Sequence, residues 1–197
     1  MVWLFLSVLL WGSVHSLLAS LKAKELFQGW FGTKIMRFYR LVYNAFAGLS
    51  FLPVMALLVL TKSRTLYVVP LPWSVLMILG EILAVAGLVI GFLQTDAWEF
   101  LGLRQLGESA GPSQLKTKGL YHLVRHPLYA TGLAVIWLFP IMTYNFLAMN
   151  VGLTFYIFIG AFFEERKLRR EFGLKYIDYE ALTPMLVPFI KGKGNRR

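Results

Sequence analysis

Basic, imidazole and phenol side chains stand directly before an apolar segment in the stretch GLYHLVRHPLYATG, residues 119–132. Proline disfavours helical geometry in the residue before it, so we expect an extended His126 and a helix that begins at Pro127. The first N–H groups of that helix would point outward beside the charge of Arg125, an arrangement that suits an anion such as a carboxylate. The alternative is that Arg125 and His126 only anchor the segment among lipid headgroups.

Two adjacent carboxylates, Glu164 and Glu165, follow at the end of the next apolar run. Unpaired carboxylates at the edge of a bilayer are costly, so both need cationic partners. Glu165 has Arg169 four residues on, the spacing of a helix-surface pair. Glu164 has Leu168 at that spacing, so its partner must come from elsewhere. A cationic ligand group or Arg125 would serve.

The composition predicts the environment of these groups. The chain has 197 residues, of which 57% are hydrophobic and 15% charged, with a mean hydropathy of +0.62. Soluble domains carry roughly 25% charged residues, and several windows here reach the ~20 apolar residues that cross a bilayer. We expect an all-α polytopic membrane helix bundle, with a single domain over residues 1–197.

Other chemistries are not favoured by the composition. The chain lacks cysteine, so it has no disulfide framework and no thiolate nucleophile, and its three histidines are too scattered to predict a metal site. The net charge of +10 lies beside apolar spans, where it indicates topology and anionic lipid. Nucleic-acid binding is not expected, because no motif for it is present.

Five spans are predicted, and a polar segment follows the third of them. The first resembles a signal peptide but lacks a basic start and a clear cleavage site, so we keep it as a span. Pro53 predicts a kink in the second span, and residues 21–40 before it suit the membrane interface. We expect a cofactor-binding core over residues 94–190 and a basic tail over residues 191–197. Within the core, much of residues 94–126 is expected to be loop. The predicted spans are residues 2–19, 41–60, 73–93, 128–142 and 146–163, so that spans one to three occupy residues 1–93.

The distribution of Lys and Arg predicts the orientation. Eighteen of them fall in the segment after span one, in residues 94–126 and in the tail, against two on the other side. By the positive-inside rule the N-terminus is outside, and the polar segment and the C-terminus are cytoplasmic. The short turn between the last two spans makes them antiparallel neighbours, so His126 and Glu164 should lie close together. An anion site beside carboxylates suits a zwitterion, and S-adenosylmethionine has a carboxylate, an ammonium and a sulfonium.

The motifs in this region resemble a known family. The pattern G-x-Y-x-x-x-R-H-P-x-Y, followed some forty residues later by E-E-x-x-L and then Y-x-x-Y, is similar to that of the membrane methyltransferases, which include isoprenylcysteine carboxyl methyltransferases and phospholipid N-methyltransferases. The matching block covers about residues 116–188. The shorter motifs HSLLAS, EFLGLRQ and PMLVP resemble the methanethiol S-methyltransferase branch. The residues that carry the main pattern are Gly119, Tyr121, Arg125, His126, Pro127, Tyr129, Glu164, Glu165, Leu168, Tyr176 and Tyr179.

The resemblance implies a membrane enzyme that transfers a methyl group from S-adenosylmethionine to a small thiol and leaves S-adenosylhomocysteine. A lipid or isoprenoid acceptor is the alternative, as is a non-catalytic relative. Arg125 and Glu165 are the candidates for contacts near the transferred methyl, with no metal involved. The expected cofactor-binding residues are Gln105, Leu120, Tyr121, Arg125, His126, Pro127, Tyr129, Glu164, Glu165 and Tyr176.

Two ionisable residues inside the predicted spans carry further hypotheses. His15 on span one could orient a thiol or accept its proton, since the thiolate is the nucleophile. The alternative is that His15 only hydrogen-bonds a neighbouring helix. For Glu81 in span three, a neutral carboxyl that bridges helices is expected.

Overall fold

The computed structural model describes residues 1–107 and 114–188, and most of these are helical. Two short strands, β1 and β2, pair in one sheet. The elements in chain order are α1 (Val2–Ala19), α2 (Leu21–Leu60), β1 (Thr65–Val68), α3 (Trp73–Gln94), α4 (Ala97–Leu101), α5 (Arg104–Gly107), α6 (Leu120–Leu123), α7 (Pro127–Trp137), β2 (Ile141–Thr143), α8 (Tyr144–Phe172) and α9 (Leu174–Leu182).

Four helices, α1, α2, α3 and α8, are long and apolar enough to cross a membrane, which confirms the all-α membrane class. The predicted fourth span is shorter than expected, because α7 has 11 residues. At 1.5 Å per residue this is ~16 Å, about half of a ~30 Å hydrocarbon core. α8 continues to Phe172, so Glu164 and Glu165 lie inside a helix and not at its end.

The polar segment after α3 differs from the expected loop. Its described part contains three short helices, α4, α5 and α6. Asp96 begins α4 by accepting a hydrogen bond from the Glu99 N–H at 3.0 Å, and Gly102 ends it in the left-handed conformation. The predicted tail 191–197 lies outside the described residues.

The chain divides into two compact units, Met1–Tyr67 with Asp96–Pro112 and Met142–Tyr156, and Val68–Thr95 with Ser113–Ile141 and Ile157–Arg197. The prediction of one domain over residues 1–197 stays a prediction. In the first unit, a buried core joins Leu4 and Val8 of α1 to Val54 of α2 and Met149 of α8. Gly152 allows this approach, since a Cβ there would lie 2.9 Å from the Val8 side chain.

α2 contains a break that was not predicted, and the kink expected at Pro53 stays a prediction. It runs on through Pro53, while Gly32 has the non-helical angles φ 74 and ψ 170. The rings of Phe27 and Tyr39 are 5.4 Å apart across this break. In a straight helix twelve residues would separate them by ~18 Å, so the chain turns back on itself at Gly32. The Tyr39 hydroxyl also donates to the Leu18 carbonyl at 2.6 Å.

In the second unit, α3 and α7 pack closely as antiparallel neighbours. Small residues on α3 face α7: a Cβ at Gly87 would lie 2.9 Å from Thr131, and one at Gly91 would lie 3.2 Å from Leu128. In a membrane, where lipid is as apolar as leucine, such small residues let helix backbones approach and gain van der Waals contact. This contact holds the start of α7, where the candidate site lies.

Candidate active site

The carboxylate of Glu165 is the centre of a buried polar cluster in the second unit. Arg125 donates to it in a bidentate arrangement, from Nε at 2.8 Å and from Nη2 at 2.9 Å. The His126 Nε2–H donates to the same carboxylate at 2.7 Å and the Tyr176 hydroxyl at 2.8 Å. The side chains of Arg125 and Glu165 are 8% and 5% exposed. The turn before α7 and helix α9 therefore both bind one carboxylate of α8.

The remaining donors of Arg125 bind the end of α9. Its Nη1 donates to the carbonyl oxygens of Glu180 at 3.2 Å and Thr183 at 2.6 Å. The Glu180 carboxylate lies 3.7 Å from Arg125 Nη2 and accepts from Arg169 Nε at 2.8 Å. The local pair of Glu165 with Arg169 is long, at 3.9 Å. The guanidinium of Arg125 thus faces acceptors of the protein itself on both sides.

The segment after α9 accepts backbone hydrogen bonds from the turn before α7. The backbone N–H of Arg125 donates to Pro184 O at 2.9 Å, and that of His126 donates to Met185 O at 3.1 Å. The Tyr179 hydroxyl donates to the carbonyl oxygen of Tyr121. These bonds place the His126 ring against Glu165 and leave α7 to begin at Pro127.

The start of α7 agrees with the prediction. His126 precedes the helix with non-helical angles, φ −122 and ψ 69, and Pro127 is its first residue. The His126 side chain does not cap the helix, because its ring faces the two carboxylates. The first N–H groups of a helix have no acceptor within it, and they lie at the positive end of its dipole.

Glu164 lies in a different environment from its neighbour. Its side chain is 41% exposed, and its Oε2 is 3.6 Å from His126 Nδ1. The Tyr129 hydroxyl donates to the same oxygen at 2.8 Å. The rings of His126 and Tyr129 stack beside it, 5.3 Å apart and 14° from parallel. We call Glu164, Tyr129, the outer edge of His126 and Tyr121 the open edge.

The acid–base properties of the cluster follow from burial and from these charges. Burial alone would lower the pKa of Arg125, but the hydrogen bond and charge of Glu165 outweigh it and the pKa is raised. Burial, and then the bond to Glu165, raises the pKa of Tyr176. Burial and the charge of Glu164 raise the pKa of Tyr121. Arg125 is therefore fully charged, and both phenols are neutral donors near pH 7.

Several predicted residues are thus brought together in the second unit. Arg125, His126 and Tyr176 meet at Glu165, which confirms the expected approach of the two hairpin ends. Leu120 begins α6, and its N–H donates to Gln94 Oε1 at 2.9 Å. Gly119 makes this contact possible, since its φ is +66 and a Cβ would overlap the Gln94 amide.

Gln105 and His15 lie in the first unit. The Gln105 amide is 3.3 Å from the carbonyl oxygen of Glu99. The His15 Nε2 is 2.5 Å from the Tyr43 hydroxyl, so the bond to a neighbouring helix that we considered for His15 is present. The His15 ring also stacks on Trp11 at 5.0 Å. The roles of Gln105 and His15 in the reaction stay predictions.

The contacts of Glu180 and Thr183 with Arg125 were not predicted from the sequence. Both hold Arg125 through backbone carbonyls, which any residue type supplies, so sequence offers no direct signal for them. The pattern Y-x-x-Y-E in α9 was the available indication, because Tyr176, Tyr179 and Glu180 share one stretch of helix. All three face the turn before α7 or the cluster around Glu165.

The chain is similar to several curated methyltransferases. Methanethiol S-methyltransferase 1 of Bradyrhizobium diazoefficiens is 33% identical over 186 residues, which cover 86% of this chain and 62% of that protein. Methanethiol S-methyltransferase 2 of the same organism is 39% identical over 110 residues, covering 52% of this chain and 42% of that protein. The methanethiol S-methyltransferase of Crocosphaera subtropica is 34% identical over 134 residues, covering 62% and 52%.

This chain spans about two fifths to three fifths of the length of these relatives. No protein-family model and no solved structure matches the sequence. The resemblance predicted from the motifs, to the methanethiol S-methyltransferase branch of the membrane methyltransferases, is confirmed by the relatives.

Proposed function

We propose that this relative of the methanethiol S-methyltransferases is an integral membrane methyltransferase that methylates a small thiol with S-adenosylmethionine. The observation that carries the proposal is the open edge: a half-exposed carboxylate, Glu164, beside the N-terminus of α7, in a chain similar to named thiol methyltransferases. S-adenosylhomocysteine is the expected product.

The open edge fits the chemistry of S-adenosylmethionine. Glu164 can attract a cationic group, and the positive end of the α7 dipole can attract a carboxylate. Tyr121 and Tyr129 add neutral hydroxyls, and the Tyr129 ring, held by stacking on His126, adds an apolar surface. When bound, the cofactor supplies an electrophilic methyl group on a sulfonium. Leu120, Pro127, Tyr176 and Gln105 keep their predicted places in the cofactor site as part of this proposal.

Arg125 and Glu165 were predicted to lie near the transferred methyl, and we now assign them a positioning role. Each is nearly buried and bonded to the other in a bidentate pair. Glu165 also receives His126 and Tyr176, so its lone pairs are largely used within the protein. The pair fixes the ring of His126 and the start of α7. Preorganisation of this kind lowers the cost of orienting a cofactor when it binds.

The acceptor must lose a proton, because the thiolate is the nucleophile. We propose His15 for this step or for orienting the thiol. One tautomer satisfies both of its contacts with Tyr43: the imidazole Nε2–H donates to the hydroxyl at 2.5 Å, and the hydroxyl donates weakly to the His15 carbonyl at 3.4 Å. Nδ1 then carries a lone pair, and it has no hydrogen-bond partner among residues 1–107 and 114–188.

The proposed orientation rests on charge. Lys and Arg are concentrated in the segments that include the turn before α7 and the end of α8. We therefore propose that the open edge faces the cytoplasm, where S-adenosylmethionine is made, and that the N-terminus is outside. A cysteine-accessibility assay with single cysteines placed at residues 3 and 175 tests this. Labelling of both positions from the same side would contradict it.

The proposed activity is tested with the purified full chain in detergent. Calorimetry with S-adenosylmethionine should show binding that His126→Ala or Glu164→Ala weakens by at least tenfold. Incubation with methyl-labelled cofactor and a panel of small thiols, phospholipids and prenylated thiols should label the small thiols. Binding of the cofactor with label in the lipids alone would refute the thiol assignment, and absence of cofactor binding would refute the enzyme.

A further inference from the structure

We infer that Glu164 makes the site selective for the cationic cofactor over its neutral thioether product. This rests on the proposed function and deepens it. The two molecules differ by a methyl group and by the positive charge of the sulfonium, while both carry the same carboxylate, ammonium and adenosine. A residue that discriminates between them must therefore respond to that one charge.

The two adjacent carboxylates, Glu165 and Glu164, differ in how their charges are compensated. The charge of Glu165 is compensated by Arg125, which holds both of its oxygens at 2.8 and 2.9 Å in a nearly dry setting. Glu164 differs, because within the described residues its salt-bridge partner is the Nδ1 edge of His126 at 3.6 Å, and that nitrogen is charged only if protonated. Its hydrogen bond comes from a neutral phenol, Tyr129. Among the described residues, Glu164 thus has no arginine or lysine partner of the kind that Arg125 provides for Glu165.

The surroundings of Glu164 suit a sulfonium better than an ammonium. An ammonium has three N–H donors and binds where several acceptors converge. The open edge offers one carboxylate beside the ring of Tyr129, whose other face packs on the buried His126 ring. A sulfonium has no N–H donor, and it is stabilised by negative charge and by aromatic faces, as quaternary ammonium groups are in aromatic cages. Tyr121, whose pKa is raised by burial and by Glu164, adds a neutral ring on the same side.

The magnitude follows from Coulomb's law. A full charge pair about 5 Å apart in a partly exposed site, with an effective dielectric constant of about 40, corresponds to roughly a tenfold change in affinity. Once the methyl group has left, the sulfur is neutral and this attraction disappears. Glu164 would then no longer contribute to binding, so the product would be bound less tightly than the cofactor.

The experiment is calorimetry of the full chain with S-adenosylmethionine, with S-adenosylhomocysteine, and with an analogue that carries an amine in place of the methylsulfonium. Wild type should bind the two cations about tenfold more tightly than the neutral product. Glu164→Gln should lower the affinity for both cations about tenfold and change that for the product less than about twofold. Glu164→Asp, which keeps the charge, should retain the preference.

Glu171→Gln is the matched control. It removes the same charge from the same helix, two turns further on, where the side chain is exposed. It should leave all three affinities unchanged. Equal losses for the cations and the product in Glu164→Gln would overturn the inference and place Glu164 at the amino-acid part of the cofactor. Absence of binding by wild type would overturn the proposed function itself.

Discussion

The imidazole Nε2 of His126 lies 2.7 Å from Oε1 of Glu165, although 39 residues separate them in the chain. Arg125, the residue before His126, binds the same carboxylate, so two neighbours in the turn before α7 share one partner on α8. This contact ties the half-length helix α7 to the long helix α8. It is the relationship on which the geometry of the open edge depends.

Breaking the Arg125–Glu165 pair should destabilise the protein strongly. Glu165→Gln removes the bidentate counter-charge of a buried guanidinium and leaves only the longer contact with Glu180 at 3.7 Å, which costs about 3–5 kcal/mol. Arg125→Gln should cost a similar amount, and the double variant should lose little more than either one, because the two residues act as a unit. Thermal unfolding in detergent measures this cycle. Losses that simply add would show that the two side chains act independently.

Tyr129→Phe should affect the cofactor more than the fold. The change removes the hydrogen bond to Glu164 at the open edge and keeps the ring that stacks on His126. A single hydrogen bond at a partly exposed site is worth about 0.5–1.5 kcal/mol, so we expect a three- to tenfold loss of S-adenosylmethionine affinity with a nearly unchanged Tm. Tyr67→Phe, at an exposed tyrosine of β1, is the control. Equal affinity in both variants would contradict the role of Tyr129.

Two glycine substitutions test the packing of α3 on α7. In Gly87→Ala the new methyl group would lie 2.9 Å from the Thr131 side chain, so that side chain or α7 must shift, and we expect a loss of about 1–3 kcal/mol in stability and weaker cofactor binding. Gly160→Ala on α8 meets no atom within 4 Å among the described residues and should be neutral or slightly stabilising. Thermal unfolding of the two variants compares them. The same Tm for both would contradict the close α3–α7 contact.

Stability should fall at alkaline pH because of Tyr176. Burial and the bond to Glu165 raise the pKa of its phenol in the folded state. The folded protein therefore holds this proton more tightly than the unfolded chain, in which the pKa is about 10. The contribution is complete below about pH 10 and is lost as the pH rises further.

The Tm measured between pH 8 and pH 11 tests this expectation. Tyr176→Phe should start from a lower Tm, because it lacks the bond to Glu165, and should show a shallower decline above about pH 10. Tyr67→Phe should follow the wild-type curve. A decline in Tyr176→Phe as steep as that of wild type would show that other groups cause it.

Much of the site could be predicted from the motifs, for identifiable reasons. Pro127 starts α7 because of its fixed φ, and the short connection between α7 and α8 brings His126 towards Glu164 and Glu165. The partner of each carboxylate could not be predicted. Arg125 was considered for Glu164 and was found on Glu165, because neighbours on a helix are turned ~100° apart and periodicity alone does not say which one faces inward.

The sequence by itself determined what depends on composition and on local geometry: apolar helices long enough to cross a membrane, the start of a helix at a proline, and a motif that resembles that of the membrane methyltransferases. Only the tertiary structure decided which of the two carboxylates, Glu164 or Glu165, is bonded within the protein and which is exposed. α9 and the segment after it return to the turn before α7, where the carbonyls of Glu180 and Thr183 accept from Arg125 and the Tyr176 hydroxyl donates to Glu165. Backbone carbonyls are the same in every residue, so the side-chain pattern does not predict which carbonyls bind Arg125. The fold leaves Glu164, and not Glu165, open to a ligand.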